Sequence, residues 1–367
     1  MISEFKIKNF RLFEDIEIRR LSRVNLIAGK NSAGKSALLE AFLLYFSGMS
    51  TDVLMELLNL RQEDWESVQN KYSSGFAASG ARHLFKDHRM PELSEDGFKL
   101  SSGDNGIHIK TAAYVREESE KGLKRRPLDA DELDHYDSDF LDKYLIMDDG
   151  AAARILFSLD NSVKDIRRRI FSMPKTTTMP CQFVSTHGIS DKTASSLWDG
   201  ISLTDIEKEV IKGIKLIEPD VTGIAFVEAN RSARSEGRIP LVKIANINEP
   251  VPLKSLGDGM TRIFQIILSL VCAKDGVLMV DEFENGLHWS IQKDVWNIVF
   301  KLSKRLNVQV FCSTHSRDSV HRFQEVWNSH KKFGSFIRID RHNGNSSVKE
   351  YDLELLSDSM ETDVEVR

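Results

Sequence analysis

The sequence predicts an α/β fold with a mainly parallel sheet, and three features predict it. An apolar run, Val24 to Ala28, passes through a glycine loop into an apolar helix, Ser36 to Phe46. In the last third, helix Met260 to Ala273, strand Val277 to Val280, helix Ile291 to Leu306 and strand Val308 to Ser313 alternate; strands separated by helices of this length pair in parallel. The 367 residues are 41% hydrophobic and 29% charged, close to the averages for folded proteins, so wholesale disorder is excluded. With 50 Lys and Arg against 55 Asp and Glu, the formal charge is −5. That balance excludes a chain coated in basic residues but is compatible with a local groove for nucleic acid.

In chain order, residues 2 to 28 alternate as strands do, through Phe5, Ile7, Phe10, Ile16 and Ile18. From about 50 to 110 the pattern is helix, polar loop and a hairpin around Ser101 to Gly106, with Ile107 and Ile109 on one face. Residues 117 to 150 are strongly charged, and Asp129 to Asp149 carries nine acidic side chains against one lysine, the pattern of a solvated insertion. Strand-like order returns at Cys181 to Thr186, a helix at Ser202 to Ile217, and strands at Gly223 to Glu228 and Ile239 to Ile247, with Arg231, Arg234 and Arg238 between them. The expected division is a core of residues 1–50 and 181–345, an inserted lobe at 51–180 and a tail at 346–367.

The N-terminus has no signal-peptide pattern, and the longest nearly apolar stretch, Ile263 to Ala273, is well short of the ~20 residues a membrane span needs. A cytoplasmic address without membrane contact follows. Cys181, Cys272 and Cys312 lie far apart in apolar segments, as reduced core thiols do.

Three motifs carry chemistry. Gly29-Lys30-Asn31-Ser32-Ala33-Gly34-Lys35-Ser36 fits GxxxxGK[ST] between a buried strand and a helix. Its glycines permit positive φ, so that backbone N–H groups turn inward at a helix N-terminus; Lys35 then reaches the β- and γ-phosphates and the Ser36 hydroxyl meets Mg²⁺. The unalternating run Val277 to Val280 ends in Asp281 and Glu282, which places two carboxylates at the carboxyl edge of the sheet: Asp281 for Mg²⁺, Glu282 to orient or deprotonate the attacking water. A third buried strand ends in Ser313-Thr314-His315-Ser316, where His315 can hydrogen-bond the γ-phosphate or that water.

Together with Lys8-Asn9-Phe10-Arg11 at the start, Glu284-Asn285-Gly286-Leu287-His288 after the acidic pair, and Ser255-Leu256-Gly257-Asp258-Gly259 before a helix, these motifs resemble the ABC-type ATPases, in the branch containing RecF, the SMC proteins and the OLD nucleases. The resemblance implies a P-loop NTPase core of ABC-ATPase type that takes ATP and Mg²⁺. It also implies a homodimer or higher oligomer in which Ser255, Gly257, Asp258 and Gly259 of one subunit touch the γ-phosphate held by the other. The alternative for 255–259 is an ordinary helix N-cap. By the same analogy Gln182 is either a Mg²⁺-contacting glutamine or a plain strand residue, and Arg11 either a phosphate ligand or a solvated turn arginine. OLD nucleases add a nuclease domain after this core; only 52 residues follow His315, so no intrinsic nuclease is expected. The resemblance points instead to control of DNA or of a separately encoded effector, as in bacterial defence against phage. The basic clusters Lys124-Arg125-Arg126, Arg167-Arg168-Arg169 and Arg231/Arg234/Arg238 are either a DNA-contacting surface or solvated faces.

Overall fold

The computed structural model describes residues 1–63, 80–119, 122–136, 141–159, 179–228 and 238–362. The chain opens with the hairpin β1 (Phe5–Phe10) and β2 (Phe13–Ile18), whose alternation puts Phe5, Ile7, Phe10, Phe13, Ile16 and Ile18 inside. β3 (Val24–Ala28) is buried at all its positions and leads through the glycine loop into α1 (Lys35–Phe46), followed by α2 (Thr51–Leu60). β4 (Phe98–Ser102) then pairs antiparallel with β1, placing Leu100 opposite Ile7. β5 (Asn105–Ser119), β6 (Gly122–Pro127), β7 (Asp142–Asp148) and β8 (Ala153–Ser158) complete a seven-stranded antiparallel sheet in the order β2-β1-β4-β5-β7-β8, with β6 on β5.

This sheet corrects the expected division of the chain. The segment assigned to an inserted lobe does not stand apart from residue 51 onward; its strands extend the sheet that β1 and β2 begin. The acidic stretch is also not solvated throughout, because Tyr144, Leu145, Ile146 and Met147 of β7 are buried, with acids only at the strand's ends.

A second, six-stranded sheet holds the site. Its order is β16-β15-β3-β14-β13-β9, from β9 (Cys181–Val184), β13 (Val277–Val280), β14 (Gln309–Thr314), β15 (Gly334–His342) and β16 (Asn345–Tyr351). All neighbours pair in parallel except β16, the antiparallel edge. The expected C-terminal tail is therefore strand β16 and a helix, Leu353–Glu361, whose Leu356 is buried. Between β9 and β13 lie α3 (Asp191–Ile201), α4 (Asp205–Lys215), the three-stranded sheet β10 (Val221–Glu228), β11 (Arg238–Ile244) and β12 (Val251–Pro252), and α5 (Asp258–Cys272). Helix α6 (Trp289–Arg305) precedes β14, α7 (Arg317–Ser329) precedes β15, and the closing helix is α8.

Helix α1 is wedged between the two sheets. Its Phe42 ring lies 4.5 Å from Phe5 of the antiparallel sheet and 4.1 Å from Phe311 of the parallel one, which explains why almost every α1 residue is buried. The other face of the parallel sheet is covered by α5, α6 and α7, with Trp296 stacked on Phe283 at 3.7 Å and set edge-on to Phe323. Among the described residues no helix is long and apolar enough to cross a membrane.

Candidate functional site

β3, β14, β13 and β9 are consecutive neighbours in the parallel sheet, so the loops at their carboxyl ends converge. The loop after β3 has Ser32 at φ +62° and Gly34 at φ +113°, left-handed conformations that turn backbone N–H groups toward the helix start. A Cβ on Gly34 would come within 2.9 Å of Leu12 and Phe13, so the β1–β2 turn fixes the back of the loop. Lys35 is buried and donates from Nζ to the carbonyls of Gly29 (2.8 Å) and Lys30 (3.0 Å). Burial pushes its ammonium below the usual lysine range, opposed by the charges of Asp281, Glu282 and Glu284.

The acidic strand end is braced from three sides. Asp281 accepts at Oδ1 from the Ser313 hydroxyl (2.5 Å) and at Oδ2 from the Thr186 hydroxyl (3.3 Å). Glu282 sits at φ +48°, and its N–H donates to Ser313 Oγ at 2.8 Å. This left-handed turn after a buried strand is held by Arg262 of α5. The guanidinium donates to the carbonyls of Ser185 (2.7 Å), Asp281 (2.6 Å) and Glu282 (3.1 Å). Burial lowers Arg262 from its ordinary value, with Cys312 and the site's carboxylates opposing. Arg262 and Thr186 were not singled out from the sequence. The one signal for Arg262 is that it is the lone cation of a mostly apolar helix.

His315 stands at the end of β14, its Nδ1 at 3.6 Å from Glu282 and 3.3 Å from Glu284. The string 255–259 forms the end of a 3₁₀ turn (Leu253–Leu256) and the start of α5, with Gly257 at φ +95° as N-cap and no side-chain cap. Ser255, Gly257 and Asp258 are exposed. Gly259 lies against the turn after β13: a Cβ there would meet the Gly286 carbonyl oxygen at 2.8 Å. Beside this contact a cavity of about 500 Å³ is lined by Thr186, His187, Asp258, Arg262 and Asn285.

Two expected site residues are placed elsewhere. Gln182 pairs with Leu278, three positions before Asp281, a distance of about 10 Å along a strand. Residues 185 and 186 are the ones that reach the acidic end, so Thr186 occupies the position expected of Gln182. Arg11 is buried among carboxylates, with Nε 2.6 Å from Glu40 and Nη1 2.6 Å from Glu63. It is neither a solvated turn residue nor turned to the phosphate loop. Of the basic clusters, Arg125 pairs with Asp142 (3.7 Å), Arg126 with Glu132 (2.7 Å) and Arg238 with Asp199 (2.5 Å). Arg167 to Arg169, Arg231 and Arg234 lie outside the described residues, as does the Lys124 side chain.

The oxygen-only donor set of the Ser36 hydroxyl, Asp281 carboxylate and Thr186 hydroxyl suits a hard cation such as Mg²⁺, which keeps waters and phosphate oxygens as its remaining ligands.

Residues 24–320 match the family described as "AAA domain, putative AbiEii toxin, Type IV TA system". The chain is 23% identical over 344 residues to a Helicobacter pylori protein named ATP/GTP phosphatase, spanning 89% of this chain and 88% of that one. It is 34% identical over 117 residues to the DNA double-strand break repair Rad50 ATPase of Archaeoglobus fulgidus, or 32% of this chain and 11% of Rad50. Among solved structures, an SMC head bound to the C-terminal winged-helix domain of ScpA shares the fold at TM-score 0.50 and 13% identity, over 96% of this chain and 98% of that one. The family match begins at the first residue of β3 and ends inside α7, so it takes in every loop of the site; the chain belongs to this AAA-domain family, and its core is that of an ABC-type ATPase.

Proposed function

We propose that this protein hydrolyses ATP to ADP and phosphate, and that two copies close on the nucleotide and reopen after hydrolysis to switch a separate effector protein. The observation that carries the reading is the convergence of Lys35, Asp281, Glu282 and His315 on neighbouring strand ends, with Asp281 already oriented by two hydroxyls. The triphosphate takes the place of the Gly29 and Lys30 carbonyls as partner of the Lys35 ammonium. Ser36, Asp281 and Thr186 would hold Mg²⁺, which supplies charge neutralisation at the β- and γ-phosphates. Glu282 accepts the proton of the attacking water as it adds in line to the γ-phosphorus, and the β–γ bridging oxygen leaves with ADP.

Closure of two copies is supported by the exposed start of α5. A serine hydroxyl and free N–H groups at a helix N-terminus form an anion site that a subunit with a filled phosphate loop has no use for itself. Loss of the γ-phosphate removes the shared anion, so assembly depends on the ligand state. Among the described residues of the basic clusters, Arg125, Arg126 and Arg238 are paired within the chain, which supports the effector reading over DNA. The family's description, with its toxin–antitoxin systems, accords with a role in bacterial defence.

The test is phosphate release together with mass by light scattering. With ATP and Mg²⁺ the wild type should turn over and double its mass, and chelation with EDTA should stop turnover. Lys35→Ala should lose nucleotide affinity by at least about 10²-fold, the scale of one strong charge-assisted contact to a phosphate. Affinity that survives this substitution would overturn the reading, whereas affinity and dimerisation with negligible turnover would favour a binding scaffold. A smaller change tests the joint between the α5 start and the turn after β13. Gly259→Ala puts a methyl 2.8 Å from the Gly286 oxygen. It should lower turnover about tenfold and also lower the unfolding midpoint, since the atom it meets is backbone and cannot swing aside.

A further inference from the structure

The motif after the acidic pair contains a carboxylate with no part in the hydrolysis just described. Glu284 is more deeply buried than its neighbour, with its side chain 9% exposed against 33% for Glu282. Its Oε1 accepts from two successive amides, His315 N–H at 3.0 Å and Ser316 N–H at 3.1 Å, and lies 3.3 Å from His315 Nδ1. Ser316 in turn caps α7 through the Ser319 N–H. One carboxylate oxygen therefore gathers the backbone and the ring of the sensor turn, while the other, Oε2, is buried without a hydrogen-bond partner.

Resting on the hydrolytic reading above, we propose that Glu284 is a positioning residue that fixes the His315 ring with its proton on Nδ1, leaving Nε2 as the nitrogen presented to the γ-phosphate or the attacking water. Two carboxylates face Nδ1, and Glu284 is the one that sets the ring. It is closer, and its two amide bonds and its burial prevent it from following the ring, whereas Glu282 is a more exposed side chain at 3.6 Å that must move with the water it activates. Glu284 is among the carboxylates that oppose the effect of burial on Lys35 and Arg262, which approach from other elements, the phosphate loop and α5. An outer carboxylate that selects the tautomer of a working histidine serves the same purpose at metal sites, where the second nitrogen's partner decides what the first can do.

Nitrogen-15 NMR of the His315 ring in the nucleotide-free protein tests this directly. A histidine ring in water favours the proton on Nε2. The wild type should instead show it on Nδ1, Glu284→Ala should revert to the Nε2–H form, and Glu284→Gln, whose carbonyl oxygen still accepts from both amides and stays beside Nδ1, should restore most of the Nδ1–H signal. In turnover, Glu284→Ala should lower kcat about tenfold with little change in ATP affinity, and the Gln variant should recover most of it, because its oxygen keeps the two amide bonds and the ring contact that alanine removes. An Nε2–H ring in the wild type overturns the assignment, and that measurement needs no variant to fold. A ring spectrum unchanged in Glu284→Ala also overturns it. If the protein has no affinity for ATP, the hydrolytic reading fails while the tautomer result stands or falls by itself.

Discussion

Glu282→Gln should lower kcat by about 10²–10⁴-fold, the contribution of a positioned general base, while ATP affinity stays within about twofold. The reason lies in the geometry of the turn. Glu282 leaves its strand at φ +48°, a conformation held by Arg262 on its carbonyl and by Ser313 on its amide. Glutamine has the same shape and leaves both backbone bonds intact, so the loss falls on proton acceptance alone. Because the γ-phosphate then persists, the proposed ATP-bound dimer should accumulate and remain visible by light scattering after the wild type has returned to monomer. Initial-rate kinetics and nucleotide binding separate the outcomes. A raised KM with unchanged kcat would mean that Glu282 only binds substrate, and the assignment of the base would be wrong.

The parts of the site that were legible in the sequence are those whose chemistry is written in consecutive residues. The phosphate loop must be contiguous, because one stretch of backbone supplies the N–H groups and its glycines mark the positive φ. Asp281 and Glu282 stood out because Val277 to Val280 has no alternation, which only a strand buried on both faces tolerates. Illegible were the contacts made between distant segments. Thr186, Asp281 and Arg262 come from three elements, and Gln182 was the more obvious polar residue of β9. Only the register, Gln182 opposite Leu278, shows that the strand reaches the site four residues later. The same holds for the fold. The pairing of β1 with β4 joins residues some ninety positions apart, so composition alone made a separate lobe of what is one sheet. Asp142 and Asp148 hid a buried strand because the acids sit at its ends, where charge is solvated, and the four apolar residues between them are few.

Arg11 shows what such a distant contact is worth. Arg11 and Glu40 have side chains 5% exposed, and Glu63 is 13% exposed. Arg61, at 36%, is the second cation on Glu40. The cluster ties the β1–β2 turn, the phosphate-loop helix α1 and the end of α2 together. Arg11→Met should therefore cost about 3–5 kcal/mol, the usual consequence of leaving a buried charge with one partner removed. Burial already pushes the Glu40 carboxyl above its ordinary range, with Arg11 and Arg61 opposing. Without Arg11 that opposition weakens and the folded-state value rises further. A carboxyl whose folded value is raised binds more protons folded than unfolded, so stability falls as pH rises through the interval and returns as pH is lowered. The deficit of Arg11→Met relative to wild type, read from denaturant midpoints, should shrink toward acid pH, and adding Glu40→Gln should recover part of it at neutral pH. Affinity for ATP, measured where the variant is folded, should stay within about twofold, because the guanidinium is committed to carboxylates rather than to phosphate. A tenfold loss of affinity at full folding would instead mean that Arg11 leaves Glu40 and Glu63 when nucleotide binds, making the ion cluster one state of a switch.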